Sequence, residues 1–150
     1  MEWKDKKRIG VIGGSQANEK YLDFAFQVGH LIAKKGAILI CGGLSGVMEA
    51  ASRGAKKAGG ITVGILPGRS PDEANPHIDI AIATGLGHSR NSLVAMNADV
   101  LIAIDGRYGT LTEIGFASIY GKRVIGLGTW DIKGIIQAHT PEEAIEFAFR

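Results

Sequence analysis

Residues 99–115, DVLIAIDGRYGTLTEIG, join a short apolar run to a segment whose residue types could bind an anion or a substrate. The run ends at Asp105, and two glycines, an arginine and a tyrosine follow within four residues. Thr110 and Glu113 then have the spacing of a capping box, which pairs the free N–H groups at a helix start. The alternative interpretation is that the loop holds a phosphate and that the Glu113 carboxylate faces a substrate.

Two other predicted strand ends carry glycine-rich loops. Gly13, Gly14 and Ser15 follow the first apolar run, and Gly42 and Gly43 follow the second. Backbone N–H groups at such glycines can approach an anion, and the start of the next helix favours negative charge. These residues are therefore candidates for phosphate binding, and a tight turn without a ligand is the alternative for the first loop.

Arg90 lies near the start of a predicted short helix that also carries Asn91. A helix start favours acidic side chains over basic ones, so an arginine there indicates an anionic or polar partner. A surface arginine without a ligand is the alternative interpretation.

Apolar runs that alternate with helical patterns must position these loops. Short β-branched runs predict six strands, at 8–13, 37–41, 61–66, 78–84, 100–104 and 124–128. Helical spacing and capping residues predict helices at 18–35, 46–59, 89–98 and 110–120, and a last helix capped by Thr140, Pro141 and Glu143.

Strands that are apolar on both faces predict an α/β fold with three layers, in which helices cover both faces of an open, mostly parallel, Rossmann-like sheet. The length of 150 residues predicts a single domain, residues 1–150. Ligands bind such sheets beyond the carboxyl ends of the strands, at the point where the strand order reverses. The loops named above are expected to meet there.

Charge, cysteine content and hydropathy disfavour several classes of protein. A net charge of +2 is too small to indicate nucleic acid binding. The single cysteine, Cys41, rules out an internal disulfide and a cysteine-rich zinc site, and it fits a reducing cytoplasm. No stretch reaches the ~18 apolar residues of a membrane helix, and no secretion signal is recognisable. His30, His77 and His139 have no ligand spacing, so no metal site is expected.

The loops also differ from those of common nucleotide-binding folds. The first loop is not G-x-G-x-x-G, and Cys41-Gly42-Gly43 ends the second strand where an NAD-binding domain carries an acid for the ribose. The chain has no Walker lysine motif. A dinucleotide is therefore disfavoured, whereas a ligand with a single phosphate remains compatible with the loops.

The spacing of these residues resembles that of the LOG family, the cytokinin riboside 5′-monophosphate phosphoribohydrolases once labelled lysine decarboxylase-like. Arg90, Asp99, the VLIAI run, GRYGTLTE and GGLSGVMEAAS carry the resemblance, which extends from residue 8 to about 128. In LOG enzymes an arginine and a glutamate carry catalysis, so the resemblance implies that role for Arg90 and Glu113. The family's phosphate-binding residues would correspond to Gly106, Gly109 and Thr110.

The chain departs from the LOG pattern at two places. Asp105-Gly106-Arg107 stands where LOG enzymes have Pro-Gly-Gly, and Asn91 stands where they have lysine. The Arg107 side chain could clash with the LOG substrate or add charge for a more anionic ligand. Both departures are more similar to the molybdenum cofactor carrier branch of the wider group, which also includes the DNA-processing protein A group.

Two functions are compatible with these residues, and both place a phosphate-bearing, nucleotide-like ligand at the strand ends. The first is hydrolysis of the N-glycosidic bond of a nucleoside 5′-monophosphate, which requires no cofactor. The second is a non-enzymatic carrier of molybdopterin or a related phosphorylated ligand. DNA binding ranks below both, and the resemblance implies a homo-oligomer, either a dimer or a tetramer.

Overall fold

The computed structural model describes residues 3–150, which form a seven-stranded sheet with helices on both faces. The order across the sheet is β4-β3-β2-β1-β5-β6-β7, and every neighbouring pair is parallel. The α/β prediction is therefore confirmed. The strands are β1 (Arg8–Gly13), β2 (Ile38–Cys41), β3 (Ile61–Leu66), β4 (Ile80–Ala83), β5 (Val100–Ile104), β6 (Arg123–Leu127) and β7 (Ile136–Ala138).

The helices form two layers, one on each face of the sheet, and each layer packs on its own hydrophobic core. The helices are α1 (Glu19–Lys34), α2 (Val47–Lys57), α3 (Asn91–Asn97), α4 (Tyr108–Ile119) and α5 (Pro141–Ala148). Helices α1, α2 and α5 pack on one face of the sheet, and α3 and α4 pack on the other. The inner strand β5, next to the central strand β1, is buried along its whole length because both layers cover it.

Helices α1 and α2 approach each other closely because each helix has a glycine that contacts the backbone of the other helix. A Cβ on Gly29 of α1 would overlap the carbonyl of Ala51, and a Cβ on Gly54 of α2 would overlap the carbonyl of Phe26. This contact fixes the position of α2, whose first residue follows the second glycine loop.

The predicted N-cap of the last helix is confirmed, and the first helix has an N-cap that was not predicted. Asn18 Oδ1 accepts a hydrogen bond from Tyr21 N at 3.1 Å before α1. Thr140 Oγ1 accepts from Glu143 N at 3.1 Å before α5. The Glu143 carboxylate reaches one residue further back than in a standard capping box, and it accepts from His139 N at 2.9 Å.

Two parts of the fold differ from the prediction. Strand β7 was not predicted, because it has three residues and its first two side chains are exposed at the edge of the sheet. The predicted helix over 89–98 is a 3₁₀ turn, Gly87–Arg90, followed by α3. Within residues 3–150, no helix is long and apolar enough to cross a membrane.

Candidate functional site

The sheet reverses its strand order between β1 and β5, and a cavity of about 270 Å³ lies beyond the carboxyl ends of these strands. The loops that follow β1, β2 and β5 surround it, together with the 3₁₀ turn before α3. The location agrees with the expected position at the switch point. Nine of the predicted site residues line the cavity: Gly13, Gly14, Ser15, Gly42, Arg90, Arg107, Gly109, Thr110 and Glu113.

The first two glycine loops are in direct backbone contact. Val47 N donates to the Gly14 carbonyl at 3.0 Å, and Ser45 Oγ donates to the Ser15 carbonyl at 3.0 Å. Gly46 has a φ of +71°, and a Cβ there would overlap the Gly14 carbonyl oxygen. Glycine at 46 therefore allows the loop after β2 to pack against the loop after β1.

The loop after β5 turns sharply before α4 begins. Asp105 and Gly106 both have positive φ, at 51° and 100°, and a Cβ on Gly106 would overlap the Thr110 side chain. Two side chains beyond β6 hold this loop. Thr129 Oγ1 donates to the Asp105 carbonyl at 2.6 Å, and the Trp130 indole donates to the Arg107 carbonyl at 2.9 Å.

Helix α4 begins two residues earlier than predicted, and this changes the interpretation of Thr110 and Glu113. Arg107 occupies the N-cap position, and among residues 3–150 no side chain caps the first turn. Thr110 is the buried third residue of the helix, so the capping-box interpretation is wrong. Glu113 lies one turn further along and faces the cavity. The exposed Arg107 side chain also lines the cavity, next to the first N–H groups of α4.

The Arg90 guanidinium is buried and held by groups from three elements. Its Nε donates to the Ile65 carbonyl of β3 at 2.8 Å, and Nη2 donates to the Gly42 carbonyl at 3.3 Å. Its Nη1 donates to Asn91 Oδ1. Burial lowers the pKa of Arg90 from its ordinary value, and the nearby Glu113 opposes that change.

Glu113 is buried in the cavity wall with 7% of its surface exposed. Within residues 3–150, its carboxyl group makes neither a hydrogen bond nor an ion pair. Burial raises the pKa of Glu113 to about 8, and the positive charge of Arg90 only partly opposes this effect. Burial in the cavity wall thus favours a protonated Glu113 at neutral pH.

Asn91 connects the two sides of the cavity, and its role was not predicted beyond its departure from the LOG pattern. It is 2% exposed and accepts from Arg90. Its Nδ2 donates to the Gly109 carbonyl at 3.3 Å and to Thr112 Oγ1 at 3.0 Å. Three further residues of the cavity wall were not predicted: Gln16, Leu44 and Met48. For the two apolar residues, the sequence contains no signal except that they lie near the glycine loops.

Two predicted site residues shape the loops but do not line the cavity. Gly43 has a φ of +80°, and its carbonyl accepts from Asn75 N at 2.9 Å. Gly106 packs under Thr110. Cys41 is buried at the end of β2 beside Ser52, as expected of a small core residue, and burial raises the pKa of its thiol. In residues 3–150, no group of three or more His, Cys, Asp or Glu side chains could hold a metal ion.

Solved structures that resemble the whole chain include two proteins named for the molybdenum cofactor. The molybdenum cofactor binding protein of the bacterium Rippkaea orientalis is 41% identical, with a TM-score of 0.90, and the match covers 95% of this chain and 94% of that chain. The molybdenum cofactor carrier protein of Chlamydomonas reinhardtii is 37% identical, with a TM-score of 0.86, and the match covers 95% and 96%.

Two further similarities are weaker or partial. A probable cytokinin riboside 5′-monophosphate phosphoribohydrolase of Oryza sativa subsp. japonica is 35% identical over 113 residues, and the match covers 72% of this chain. The chain spans only 46% of that protein. DNA processing protein A of Streptococcus pneumoniae has a TM-score of 0.76 at 15% identity, which shows a common fold alone.

The family follows from a match to nearly all of the chain. The resemblance predicted from Arg90, Glu113 and the glycine loops pointed to the LOG group, and the relatives above confirm it. The model of the SLOG cluster4 family matches residues 6–148, and the chain therefore belongs to this family of the LOG superfamily.

Proposed function

We propose that the chain binds a small phosphate-bearing ligand in the cavity beyond β1 and β5, and that it carries this ligand without cutting it. The ligand class that fits best is a phosphorylated pterin of the molybdenum cofactor type. The observation that carries the proposal is the uncapped start of α4, which lies beside the Arg107 side chain in the cavity wall.

The start of α4 has the features of a phosphate site. The first N–H groups of a helix lack partners within the helix, and the helix dipole favours an anion there. Gly13, Gly14 and Ser15 line the same cavity and offer backbone N–H groups from a second loop. Arg107 adds a positive charge where LOG enzymes have a glycine, so we expect the phosphate to be held more tightly than by backbone alone.

The wall of the cavity suits the rest of such a ligand. Leu44, Met48 and Val11 provide an apolar surface, and Arg90 and Glu113 provide polar groups. A metal would have to arrive with its own ligands, because the described residues contain no cluster of metal-binding side chains. The molybdenum cofactor would therefore be cargo that the chain holds through the pterin and the phosphate.

The protonation of Glu113 disfavours one role in cleavage, that of an ionised carboxylate beside the ribose. Hydrolysis of an N-glycosidic bond develops positive charge on the ribose, and an ionised carboxylate stabilises it in the way that glycoside hydrolases do. A pKa of about 8 leaves Glu113 mainly neutral at pH 7. Two structures that match 95% of the chain, at 41% and 37% identity, are also named for binding or carrying the molybdenum cofactor.

The second candidate function is a nucleoside 5′-monophosphate phosphoribohydrolase. One specific observation favours it: Arg90 and Glu113, the two residues to which the resemblance assigns catalysis, share one cavity wall with Thr110 and Gly109. Arg90 would fix the substrate, Glu113 would act on the ribose, and the loop would hold the phosphate. Whichever candidate holds, we expect a cytoplasmic homo-oligomer, in line with the family resemblance.

One experiment distinguishes the candidates. The protein is titrated with a phosphorylated pterin and with a panel of nucleoside 5′-monophosphates, and both heat of binding and release of free base are measured. Saturable binding without base release is expected. Base release by the native protein that Glu113→Gln abolishes would replace the carrier by the hydrolase, and absence of binding to every phosphate would reject both.

A further inference from the structure

The side chain of Asn91 makes three hydrogen bonds that only an amide can make together. Its oxygen accepts from Arg90 Nη1, and its nitrogen donates to the Gly109 carbonyl and to Thr112 Oγ1. Aspartate has no donor for Gly109, and lysine has no acceptor for Arg90. The local structure therefore demands both an acceptor and a donor at position 91.

The two groups that Asn91 joins belong to opposite parts of the cavity. Arg90 is anchored on the ends of β2 and β3, through the carbonyls of Gly42 and Ile65. Gly109 and Thr112 lie in the first turns of α4, where the phosphate is expected. Asn91 is 2% exposed and makes the one side-chain link between Arg90 and α4 that the described residues provide.

Arg90 retains donors for a ligand. An arginine has five N–H groups, and three protein acceptors are bonded to this one. Its side chain lines the cavity although it is almost fully buried. A ligand that already contacts the α4 start can therefore meet a second donor whose position is fixed relative to α4.

We propose that Asn91 is a positioning residue that couples the α4 phosphate loop to Arg90, so that the cavity selects ligands with a phosphate and a second acceptor group. The inference rests on the proposed function, because it assumes that a phosphate occupies the start of α4. A ligand with only one of the two groups gains only one anchor. A ligand with both groups binds more tightly, because Asn91 already holds the α4 loop and Arg90 at a fixed distance from each other. Binding then has no further cost for ordering these two protein groups.

The test uses two probes and four forms of the protein, and an additivity check adds Arg90→Ala with and without Asn91→Ala. Inorganic phosphate has one anchor, and GMP has a phosphate together with a ring carbonyl as the second acceptor. The forms are the native protein, Asn91→Ala, Asn91→Asp and the control Asn97→Ala, which removes an exposed amide of the same helix that bonds only to the Leu93 carbonyl. Calorimetric affinities are compared after each form is shown to be folded.

The expected result is selective for the two-anchor probe. Asn91→Ala should weaken GMP binding at least tenfold and phosphate binding less than threefold, whereas Asn97→Ala should change neither. Adding Asn91→Ala to Arg90→Ala should cause no further loss, because the two residues act as one unit. Equal weakening of both probes by Asn91→Ala, or a further loss in the double variant, would overturn the coupling and leave the proposed function intact.

A spectroscopic readout covers the case in which Asn91→Ala folds poorly. The Nε–H signal of Arg90 in a ¹⁵N spectrum reports its bond to the Ile65 carbonyl. Addition of phosphate should shift this signal in the native protein and not in Asn91→Asp, which keeps the acceptor for Arg90 and loses the donor to α4. A shift of equal size in Asn91→Asp would overturn the inference. Failure of the native protein to bind phosphate would instead reject the proposed function, and the inference with it.

Discussion

At the scale of single residues, the site is dominated by a buried carboxyl group that makes no hydrogen bond or ion pair within residues 3–150. Glu113 faces a guanidinium whose three nitrogens are bonded to other acceptors. Desolvation therefore outweighs the attraction of Arg90, and the pKa of Glu113 rises to about 8. A buried ionisable group of this kind costs stability, and such groups are typical of sites that bind or react.

The raised pKa of Glu113 predicts a pH dependence of stability. Its ordinary value is 4.5, so the folded protein holds this proton more tightly than the unfolded chain does. The free energy of unfolding should fall as pH rises from about 4.5 to about 8, by at most roughly 1.4 kcal/mol per pH unit. Glu113→Gln keeps the shape without the titration, so it should be more stable than the native protein at pH 8.

Urea unfolding at pH 4, 6 and 8 measures this difference. The two proteins should be similar at pH 4 and should diverge by about 3 kcal/mol or more at pH 8. The matched control is Glu142→Gln, which removes an exposed carboxylate of α5 and should leave the pH dependence of the native protein unchanged. Parallel pH curves for Glu113→Gln and the native protein would contradict the burial of an ionisable Glu113.

At the scale of elements, the sequence predicted the loops that line the cavity, but it did not predict the residue at which helix α4 begins. Strands with β-branched residues on both faces and glycines at their ends were recognisable, and so was the cap at Thr140. The start of α4 was not, because Thr110 and Glu113 have capping-box spacing and only the positive φ angles at Asp105 and Gly106 move the helix start to Tyr108. The Asp105-Gly106 dipeptide indicates a turn, but it does not specify the residue at which the following helix begins.

The two glycine loops were expected to meet, but the backbone contact between them could not be predicted, because it depends on residues far apart in the sequence. Gly46 lies against the Gly14 carbonyl with a φ of +71° and a ψ of −129°, a region open almost only to glycine. Gly46→Ala should therefore destabilise the protein by roughly 1–3 kcal/mol and weaken phosphate binding. Urea unfolding and phosphate titration measure the two effects.

Gly115→Ala is the matched control for this change. Gly115 is a solvent-exposed residue in the middle of α4, and a Cβ there would meet nothing within 4 Å. Alanine should raise the stability by up to about 1 kcal/mol, because it favours the helix. If Gly46→Ala behaved in the same way as Gly115→Ala, the backbone contact between the loops would have no energetic role.

At the scale of the whole molecule, the strand order determines where the cavity lies, and the net charge determines how strongly the protein attracts an anion over long distances. The reversal between β1 and β5 brings together loops from residues 13–16, 42–48 and 107–113, as expected from the carboxyl ends of parallel strands. A net charge of +2 gives little long-range attraction for an anion. The affinity for phosphate must therefore come from groups at the cavity itself.

Arg107 should supply a measurable part of that local attraction. Arg107→Ala is expected to lower the affinity for inorganic phosphate about fivefold at low salt, and less at high salt because the side chain is exposed. Lys57→Ala makes the same change in net charge at the far end of α2, away from the cavity, and should change the affinity less than twofold. Equal losses in both variants would indicate a general charge effect rather than a phosphate site.

The central claim is that a phosphate group anchors the ligand between the loop after β1 and the start of α4. A comparison of one pterin with and without its phosphate tests this claim most directly. Both compounds are titrated into the native protein by calorimetry under the same conditions. We predict that the phosphorylated form binds at least tenfold more tightly and that excess inorganic phosphate displaces it. Equal affinities for the two forms, or binding that inorganic phosphate does not affect, would contradict the claim.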